Sequence, residues 1–476
     1  QDEEKARERE KDPSKEWEKV PLLSPFPEGH AKDISLPFQA ALTCPFKSFF
    51  PALFLMSDEN TPSSTVLPSY DVIIVGGGPG GASTAMFLQK KGYNVLLLEK
   101  AKYPRDKICG DAVSGKSVGM LKELGLDNEM ETIDNAKVYG LIFSSPEGKS
   151  LEISFPVKDN SGQTKARGYV CRRMVFDNFM FSHAKEKVET KEQFQVTDLL
   201  WDANGTVIGV KGMDMVSKQP FEFHSKFVIG ADGATSIVAN KVNAEKIPDD
   251  HLCMATRVYY KNVAGVTPNI EIHFVDSVMP GYFWIFPLEN GMANVGLGMV
   301  SRDRQARNMN LVQETEKVIA EHPLFKERFK NAEKLSDVKG WTLPFGSFKR
   351  TLHGKGWLLI GDAASLVDPF SGEGIGNAMT SGKYASEAID RAFKANNFSP
   401  EFMAWYDEEL WKEIGPELKT SYLLQKMGRH KWLLNLVVGK ASKSKEVRDT
   451  ISGMLVNEEA RKSFISPMFY LKLLFA

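Results

Sequence analysis

The chain has 476 residues, which is more than one hydrophobic core usually supports, so two or three domains are expected. Hydrophobic residues make up 42% and charged residues 25%, with a formal net charge of -1, and these average values argue against a nucleic-acid partner. The four cysteines have neither metal-ligand nor disulfide spacing, so we expect no metal site and a reducing, cytoplasmic location.

The N-terminal segment before the first strand has no periodic apolar pattern. Its first twenty residues are dominated by Asp, Glu, Lys and Arg, which is typical of disorder. The apolar stretch at 41–56 is interrupted by Pro45, Lys47 and Pro51, so it does not resemble a signal peptide. We therefore interpret residues 1–69 as a disordered or non-native extension, with Met56 as the hypothetical true start.

A strand, a glycine-rich turn, a helix and a second strand follow from Tyr70. YDVIIV is an apolar run of strand length, GGGPGG follows directly, and the next helical pattern closes at Gly92 before NVLLLEK. This order predicts a dinucleotide-binding βαβ unit, in which the helix N-terminus and the glycine-rich turn hold a pyrophosphate. An acid at the end of the second strand would bind the ribose hydroxyls. The residues assigned to this site are Gly76, Gly78, Gly81, Glu99 and the adjacent Lys100.

Two later segments indicate which dinucleotide is bound. FVIGADGATSIV at 227–238 is a strand that ends in Asp232 and Gly233, and GWLLIGDAASLVDPFSGEGIGNAMTSG at 356–382 is a strand followed by a glycine-rich helix entry. Together with the βαβ unit they resemble the FAD-dependent group that includes aromatic hydroxylases, squalene epoxidases and geranylgeranyl reductases. The resemblance implies an α/β fold with a discontinuous Rossmann-type FAD-binding domain, an inserted antiparallel-sheet substrate domain and a helical C-terminal cap.

The same resemblance implies how the later segments contact FAD. The carboxylate of Asp362 would bind the ribityl chain, and a helix beginning near Gly374 would point its N-terminus at the pyrimidine end of the flavin ring. Backbone N–H groups at a helix start stabilise the negative charge of a reduced flavin. The remaining cofactor contacts implied here are Gly361, Pro369, Gly372, Ile375 and Gly376.

Within this group, two segments resemble the geranylgeranyl reductase family, and a third fits the wider group. PRDKICGDAVS at 104–114 resembles its Lys-x-Cys-Gly segment, and PGYFWIFPLENGMANVGLG at 280–298 matches its YxWxFP stretch. CRRMVFDNFM fits the Arg-x-x-Phe-Asp helix start of the wider group. The resemblance implies that Cys109, the candidate catalytic residue, and Gly110 lie close to the flavin, and that Arg173 lies next to the cofactor.

Alternation along YFWIFP places Tyr282, Trp284 and Phe286 on one face of a strand. From the residues alone, this face could be buried in a sheet core or line a hydrocarbon pocket over the flavin. The family resemblance favours the pocket and makes these three residues candidate substrate contacts. Two interpretations of Cys109 also remain open: it could act in the site, or it could be only a small buried residue, which is common for a free cysteine.

The C-terminal region has an uneven charge distribution. Residues 419–472 contain eleven Lys or Arg against four acids, a net charge of +7, and two short apolar runs lie at 432–438 and 469–476. This combination suits an anionic bilayer surface, and an ordinary helical cap with a basic face is the alternative. No stretch is long and apolar enough to span a bilayer, so any membrane contact would be peripheral, on the inner face.

These observations divide the chain into seven segments. They are 1–69, the extension; 70–150, the first part of the FAD-binding domain; 151–226, a segment shared between the FAD-binding and substrate domains; 227–245, the second part of the FAD-binding domain; 246–350, the substrate domain; 351–395, the third part of the FAD-binding domain; and 396–476, the helical cap.

The function implied by the resemblance is an FAD-dependent reductase that transfers hydride from reduced flavin to C=C bonds of a prenyl lipid. A monooxygenase or halogenase of the same fold, and an electron-transfer flavoprotein acting on quinone, remain alternatives. No second GxGxxG follows a strand, so the electron donor, NAD(P)H or a reduced carrier protein, would act without its own Rossmann unit.

Overall fold

The computed structural model describes residues 69–155 and 165–456. The expected extension, apart from Ser69, and the apolar run at 469–476 lie outside the described residues. The strands are β1 (Ser69–Val75), β2 (Val95–Leu98), β3 (Ala112–Val113), β4 (Ala136–Val138), β5 (Gly140–Ser144), β6 (Ser150–Ser154), β7 (Gly168–Val170), β8 (Glu189–Lys191), β9 (Phe194–Trp201), β10 (Val207–Asp214), β11 (Pro220–Gly230), β12 (Leu252–Lys261), β13 (Asn269–His273), β14 (Tyr282–Pro287), β15 (Met292–Val300), β16 (Glu333–Lys334), β17 (Lys339–Pro344), β18 (His353–Gly354) and β19 (Trp357–Leu359). The helices are α1 (Pro79–Lys90), α2 (Gly115–Leu124), α3 (Asp127–Met130), α4 (Arg173–Lys185), α5 (Ile237–Lys241), α6 (Ser301–Ala306), α7 (Leu311–Glu321), α8 (Lys326–Phe329), α9 (Ile375–Ala395), α10 (Pro400–Met427), α11 (Lys431–Lys443) and α12 (Lys445–Val456).

The first sheet is built around the predicted βαβ unit. β1 is parallel to β2 on one side and to β11 on the other, and β8 and β19 extend the parallel sheet outward. β9 and β10 add an antiparallel extension along the first half of β11. Strands from three distant parts of the chain therefore lie side by side, which confirms the discontinuous α/β fold expected from the sequence.

The helices α1 and α9 cover this sheet as a closely packed, parallel pair. Gly80 lies beside Ala378, and one turn further along Thr84 lies beside Gly382. Because both contacts advance in the same direction along the two helices, the N-termini of α1 and α9 lie at the same end. That end follows the carboxyl end of β1, which is where ligands bind in open α/β sheets.

The second sheet is the expected inserted, mainly antiparallel one. Its strand order is β16-β12-β15-β14-β13-β5-β6, with β17 also paired to β12. All neighbours are antiparallel except β13 and β5. β5 and β6 come from residues 140–154, so the structure moves the domain boundary that we placed at residue 150 to a point before β5. The pairing of β5 with β13 joins segments far apart in sequence, which local patterns do not reveal.

The C-terminal region is helical, as expected. The long α10 packs on the first sheet, where the fully buried Tyr406 donates its hydroxyl hydrogen bond to the Leu359 carbonyl at 2.8 Å. α11 instead packs on β6, in an apolar cluster with Leu151 and Ile153. Among the helices of the described residues, none combines the length and hydropathy required to cross a bilayer.

Candidate active site

The glycine-rich turn after β1 has the geometry of a pyrophosphate cradle. Gly76 has a φ of 108°, and any Cβ there would collide with the Ala231 carbonyl of the neighbouring strand. A Cβ on Gly81 would collide with the carbonyl of Gly76, so that glycine allows helix and turn to pack closely. Gly78 faces open space, where the nearest atom to a Cβ would be Arg105 Nη2 at 3.7 Å. The turn therefore leaves room for a ligand at Gly78 and none at the other two positions.

Glu99 lies at the carboxyl end of β2, as the sequence indicated. Its Oε2 accepts the Gly77 N–H and its Oε1 accepts the Ala101 N–H, both at 2.8 Å. The carboxylate thus holds the glycine-rich turn in place beside the position expected for the ribose. The neighbouring Lys100 is exposed on the surface.

Two residues that we did not assign from the sequence lie against this turn. The Tyr103 hydroxyl donates to the Gly77 carbonyl at 2.7 Å, and its ring stacks on Phe181 with the centroids 4.3 Å apart. The Arg105 guanidinium lies 5.0 Å from the Tyr103 ring centroid and next to Gly78. A guanidinium at the open face of a phosphate-binding turn suits a pyrophosphate. Arg105 lies in the PRDKICGD segment. The family resemblance in this segment concerned only the Lys-x-Cys-Gly residues and did not identify Arg105.

Arg173 begins α4, and its buried side chain is bound by other protein groups. It forms a two-point ion pair with Asp177, and Asp177 also pairs with Arg105. Although burial opposes the charge, the two arginines hold the pKa of Asp177 below its usual value. This carboxylate therefore connects Arg173 to the cofactor turn and fixes the position of Arg105.

The motif at 227–238 contributes mainly main-chain structure. The Asp232 carboxylate accepts the N–H groups of Ile237 and Val238 at 2.6 and 3.3 Å, and it also binds the Ser236 hydroxyl. These bonds cap the short helix α5, so in this structure the side chain of Asp232 supports α5. Gly233 has a φ of 79° and no heavy atom within 4 Å of a Cβ position. A contact of either residue with FAD stays a prediction.

The third motif brings Asp362 to the N-terminus of α9. Gly361 precedes it in a short 3-10 helix, and Gly374 occupies the N-cap position of α9, where a Cβ would lie 3.7 Å from Asp362 Oδ1. Ile375 and Gly376 form the first turn, in which the Gly376 N–H is bound by Glu373 at 2.7 Å.

The starts of α1 and α9 fit a dinucleotide with a flavin. Neither Gly78 nor Gly374 provides a side-chain cap, so N–H groups remain for a ligand at both helix starts, apart from the Gly376 N–H that Glu373 binds. The two helix starts lie at the same end of the helix pair, one beside the pyrophosphate cradle and one beside Asp362. The two helix starts therefore fit a bound FAD, and which side chains contact it stays a prediction.

The aromatic face of β14 contacts the cofactor segments of the first domain. The Tyr282 hydroxyl lies 3.3 Å from the Ser371 carbonyl and next to Gly372, and the ring of Phe286 lies 3.2 Å from a Cβ position on Gly110. Trp284 and Phe286 are only 7% and 8% exposed, whereas Tyr282 is partly exposed. The position of this face against Gly110 and Gly372 agrees with the pocket interpretation, and the burial of two of its rings agrees with the core interpretation.

Cys109 lies half-buried between the two sheets, next to Gly110. Burial raises the pKa of its thiol, and the nearby Arg173 only partly opposes this. The thiol is therefore protonated at neutral pH. The candidate cofactor residue Pro369 lies in the segment between Asp362 and α9. Its carbonyl accepts a hydrogen bond from Gln425 of α10 at 2.7 Å.

Residues 69–394 match the FAD binding domain family. The chain is 32% identical over 363 residues to digeranylgeranylglycerophospholipid reductase of Methanocaldococcus jannaschii, covering 74% of this chain and 85% of that protein. It is 30% identical over 335 residues to menaquinone reductase of Mycobacterium tuberculosis, covering 68% and 77% of the two chains.

Two solved structures share the fold. A geranylgeranyl bacteriochlorophyll reductase-like protein of Thermoplasma acidophilum matches with a TM-score of 0.71 and 24% identity over 83% of this chain and 98% of that one. A flavin-dependent brominase matches with a TM-score of 0.66 and 24% identity over 80% and 93%. With the three FAD motifs in place and these relatives, the chain belongs to the geranylgeranyl reductase family of FAD-dependent oxidoreductases.

Proposed function

We propose that this protein reduces C=C bonds in the isoprenoid chain of a lipid. The observation that carries the proposal is the contact between the aromatic face of β14 and the cofactor segments at Gly110 and Gly372. An apolar chain lying along this face would be held beside the flavin. The relatives named for a digeranylgeranyl phospholipid and for menaquinone support this substrate class, because both molecules carry long isoprenoid chains.

The sheet provides an apolar wall around the aromatic residues, apart from Asn294, Tyr259 and Arg257, whose polar groups bind other protein groups. Cys253, Ala255 and Ile272 share the face of Trp284 in neighbouring strands and belong to the same apolar cluster. Such a wall excludes water and binds hydrocarbon without directional bonds. Its chemistry favours a long aliphatic substrate over a polar one.

Bound reduced FAD supplies the hydride for this reaction. Saturation of one C=C bond adds that hydride to one carbon and a proton to the other. We assign the Cys109 thiol to hold the proton, because it is protonated at neutral pH and lies beside Gly110. Cys109→Ala should then slow reduction while leaving FAD content unchanged.

Product analysis tests the proposal. The FAD-loaded protein is reduced chemically, incubated without oxygen with a panel of prenyl phospholipids and prenyl quinones, and the lipids are examined by mass spectrometry. A gain of two hydrogens per reduced bond supports the proposal. Turnover that requires oxygen and yields an oxygenated or halogenated product would contradict it, as would electron transfer to quinone with an unchanged isoprenoid chain.

The electron donor is part of the same proposal. The first sheet of the described residues contains one βαβ unit with a glycine-rich turn, and FAD accounts for it. NAD(P)H or a reduced carrier protein would therefore approach from the surface. Mixing the oxidised protein with NADH, NADPH or a reduced iron-sulfur carrier, and following the loss of flavin absorbance, identifies the donor.

We also propose that α11 contacts an anionic membrane surface, where such lipids reside. Trp432 is 65% exposed, and Lys440 and Lys443 lie near the end of the same helix. Aromatic and basic residues on one helix favour an anionic interface. Trp432→Ala should weaken co-sedimentation with anionic vesicles, whereas the control Trp201→Ala, a 44% exposed tryptophan on β9, should not. Equal binding of both variants would contradict this contact.

A further inference from the structure

A buried carboxylate joins the cofactor-side loop to the substrate-side sheet. Asp111 follows Cys109 and Gly110, is fully buried, and has a φ of 64°. Its Oδ2 accepts the Tyr259 hydroxyl at 2.7 Å and the Asn294 amide at 2.8 Å, and its Oδ1 accepts the Arg173 N–H at 3.3 Å. The three donors belong to β12, β15 and α4, so one side chain connects three elements around the candidate site.

Asn294 links Asp111 to the aromatic face of β14 through hydrogen bonds. Its Nδ2 donates to both Asp111 and the Cys109 carbonyl, at 2.8 Å each, and its Oδ1 accepts the indole N–H of Trp284 at 2.9 Å. A carboxylate can only accept hydrogen bonds, so Asp111 requires the nitrogen of the amide to point toward the loop. The oxygen of the same amide must then point toward Trp284, which fixes the direction of the indole N–H.

The indole has little freedom to adopt another position. It lies against Gly296 of β15, where any Cβ would collide with the ring, and close to Gly298. The hydrogen bond to Asn294 therefore selects one orientation of a ring that is already confined on one side.

The loop from Asp106 to Asp111 is attached to the same sheet at its other end. Arg257, which is buried, pairs with Asp106, and its guanidinium lies 4.0 Å from the Tyr259 ring centroid. Lys107 pairs with Asp362 of the cofactor segment at 3.0 Å. Cys109 is thus held between bonds to the substrate sheet and a bond to the cofactor segment.

We propose that Asp111 is a positioning residue of the reductase site, which sets the main chain at Cys109 and, through Asn294, the orientation of Trp284. This inference rests on the proposed function, because it assumes that Trp284 and Cys109 border the reacting bond. The hydrogen bonds that the Asp111 carboxylate accepts come from protein groups of β12, β15 and α4. Its effect is on the alignment of the bound chain with the flavin.

The central variant is Asp111→Asn, which preserves shape but places an N–H₂ group against one of the donors. We expect FAD content to remain unchanged and the saturating rate of reduced-flavin oxidation by prenyl lipid to fall about tenfold, because small errors in alignment reduce rate more than binding. Tyr259→Phe, which leaves the bond to Asn294, should have a smaller effect.

A matched control is Glu271→Gln in the same sheet. Glu271 is also buried and binds Arg328 and His273, but it neighbours Ile272 along β13 and so lies on the face opposite Trp284. This variant should lower the melting temperature and leave the saturating rate unchanged. A rate loss in Asp111→Asn that merely follows its melting temperature, as in this control, would overturn the proposal.

Double variants test the route through Trp284. Trp284→Phe keeps an aromatic ring but removes the N–H that Asn294 binds. If Asp111 acts through that bond, adding Asp111→Asn to Trp284→Phe should cost much less than Asp111→Asn costs in the wild type. If the two variants lower the rate by fully additive amounts, Asp111 does not act through the bond between Asn294 and Trp284.

A readout without substrate separates this inference from the proposed function. Asp111→Asn should raise amide hydrogen exchange over residues 106–113 and the alkylation rate of Cys109, and it should change the visible spectrum of bound flavin. If wild-type protein reduces no prenyl lipid, the proposed function fails, and these changes would still support the positioning role. Unchanged exchange, alkylation and spectrum would overturn it.

Discussion

The Lys107 ammonium lies 3.0 Å from the carboxylate of Asp362 and joins the loop after the first βαβ unit to the start of α9. Because Asp362 also lies beside Gly374, this pair marks the position where the flavin end of the cofactor would be held. We expect Asp362→Ala to reduce FAD occupancy, measured as flavin released per protein. Asp276→Ala, which breaks an exposed ion pair with Lys431, should retain full occupancy. Full occupancy in both variants would remove Asp362 from the cofactor site.

Gly78 and Gly81 should respond differently to an added side chain. Gly78 has a φ of -66° and faces open space, so Gly78→Val should fold normally and block the pyrophosphate. Gly81→Ala would place a methyl group against the Gly76 carbonyl and should lower the melting temperature of the FAD-free protein. Thermal melts beside flavin quantification distinguish the two. Normal FAD binding by Gly78→Val would contradict the assignment of the turn.

The aromatic face can be tested at its exposed and buried ends. Tyr282 is partly exposed, so Tyr282→Ala should slow reduction of long prenyl chains more than short ones, with little change in melting temperature. Trp284 is buried and hydrogen-bonded, so Trp284→Ala should cost about 3 to 5 kcal/mol of folding free energy and affect all substrates. Kinetics resolved by chain length, run beside thermal melts, check both. A uniform loss in Tyr282→Ala would argue against a pocket at that residue.

Asp111 should produce a pH dependence. Burial raises its pKa from 3.8 to about 6, and hydrogen bonds from Tyr259 and Asn294 only partly oppose this. Below that pH the protonated group no longer accepts all three donors, so the saturating rate should fall as the pH decreases through about 6. Asp111→Asn should show no such step.

The titratable groups around Asp111 keep their protonation states near pH 6. Burial raises the pKa values of Cys109, Cys171 and Tyr259, so these groups stay protonated near neutral pH. Arg173 and Arg257 keep their charge, and the pKa of Asp177 is lowered by the arginines despite its burial. A rate step near pH 6 that survives Asp111→Asn would therefore come from outside this cluster.

The same pKa has a consequence for stability. Because the folded state binds this proton more tightly than the unfolded state, the contribution to stability is present below the unfolded pKa and is lost as the pH rises through about 6. Two pKa units correspond to about 3 kcal/mol, and because pH 4 already lies slightly above the unfolded pKa, wild-type protein should lose about 2 kcal/mol relative to Asp111→Asn between pH 4 and 7. Denaturant unfolding at both pH values measures the difference. Parallel pH profiles for the two proteins would contradict the raised pKa.

The parts of the site that follow local rules could be predicted from the sequence. The turn at Gly76, the acid at Glu99 and the start of α9 at Gly374 each depend on a few consecutive residues and their spacing. The partners that complete the site come from remote segments. Asn294 meets Asp111, and Asp177 meets Arg105, only because the two sheets and α4 pack together, and no local pattern encodes such pairings.

Asp232 shows a different limit of sequence reasoning. Its position after a strand matched the family motif, and its carboxylate caps α5 in the structure. The N-cap of α5 is Ser236, and the Asp232 carboxylate adds two further bonds to the helical N–H groups through the same acceptor chemistry that binds a ribose hydroxyl. The sequence alone does not distinguish these two uses.

The parallel pair of α1 and α9 determines when the cofactor site can form during synthesis. One helix begins at Pro79 and the other at Ile375, with the whole second sheet encoded between them. A ribosome-bound chain that ends before α9 has the pyrophosphate cradle but lacks the helix start beside Asp362. The inserted sheet must therefore be synthesised before the FAD-binding domain can be completed. As a result, FAD can bind to its full site only late in synthesis of the chain.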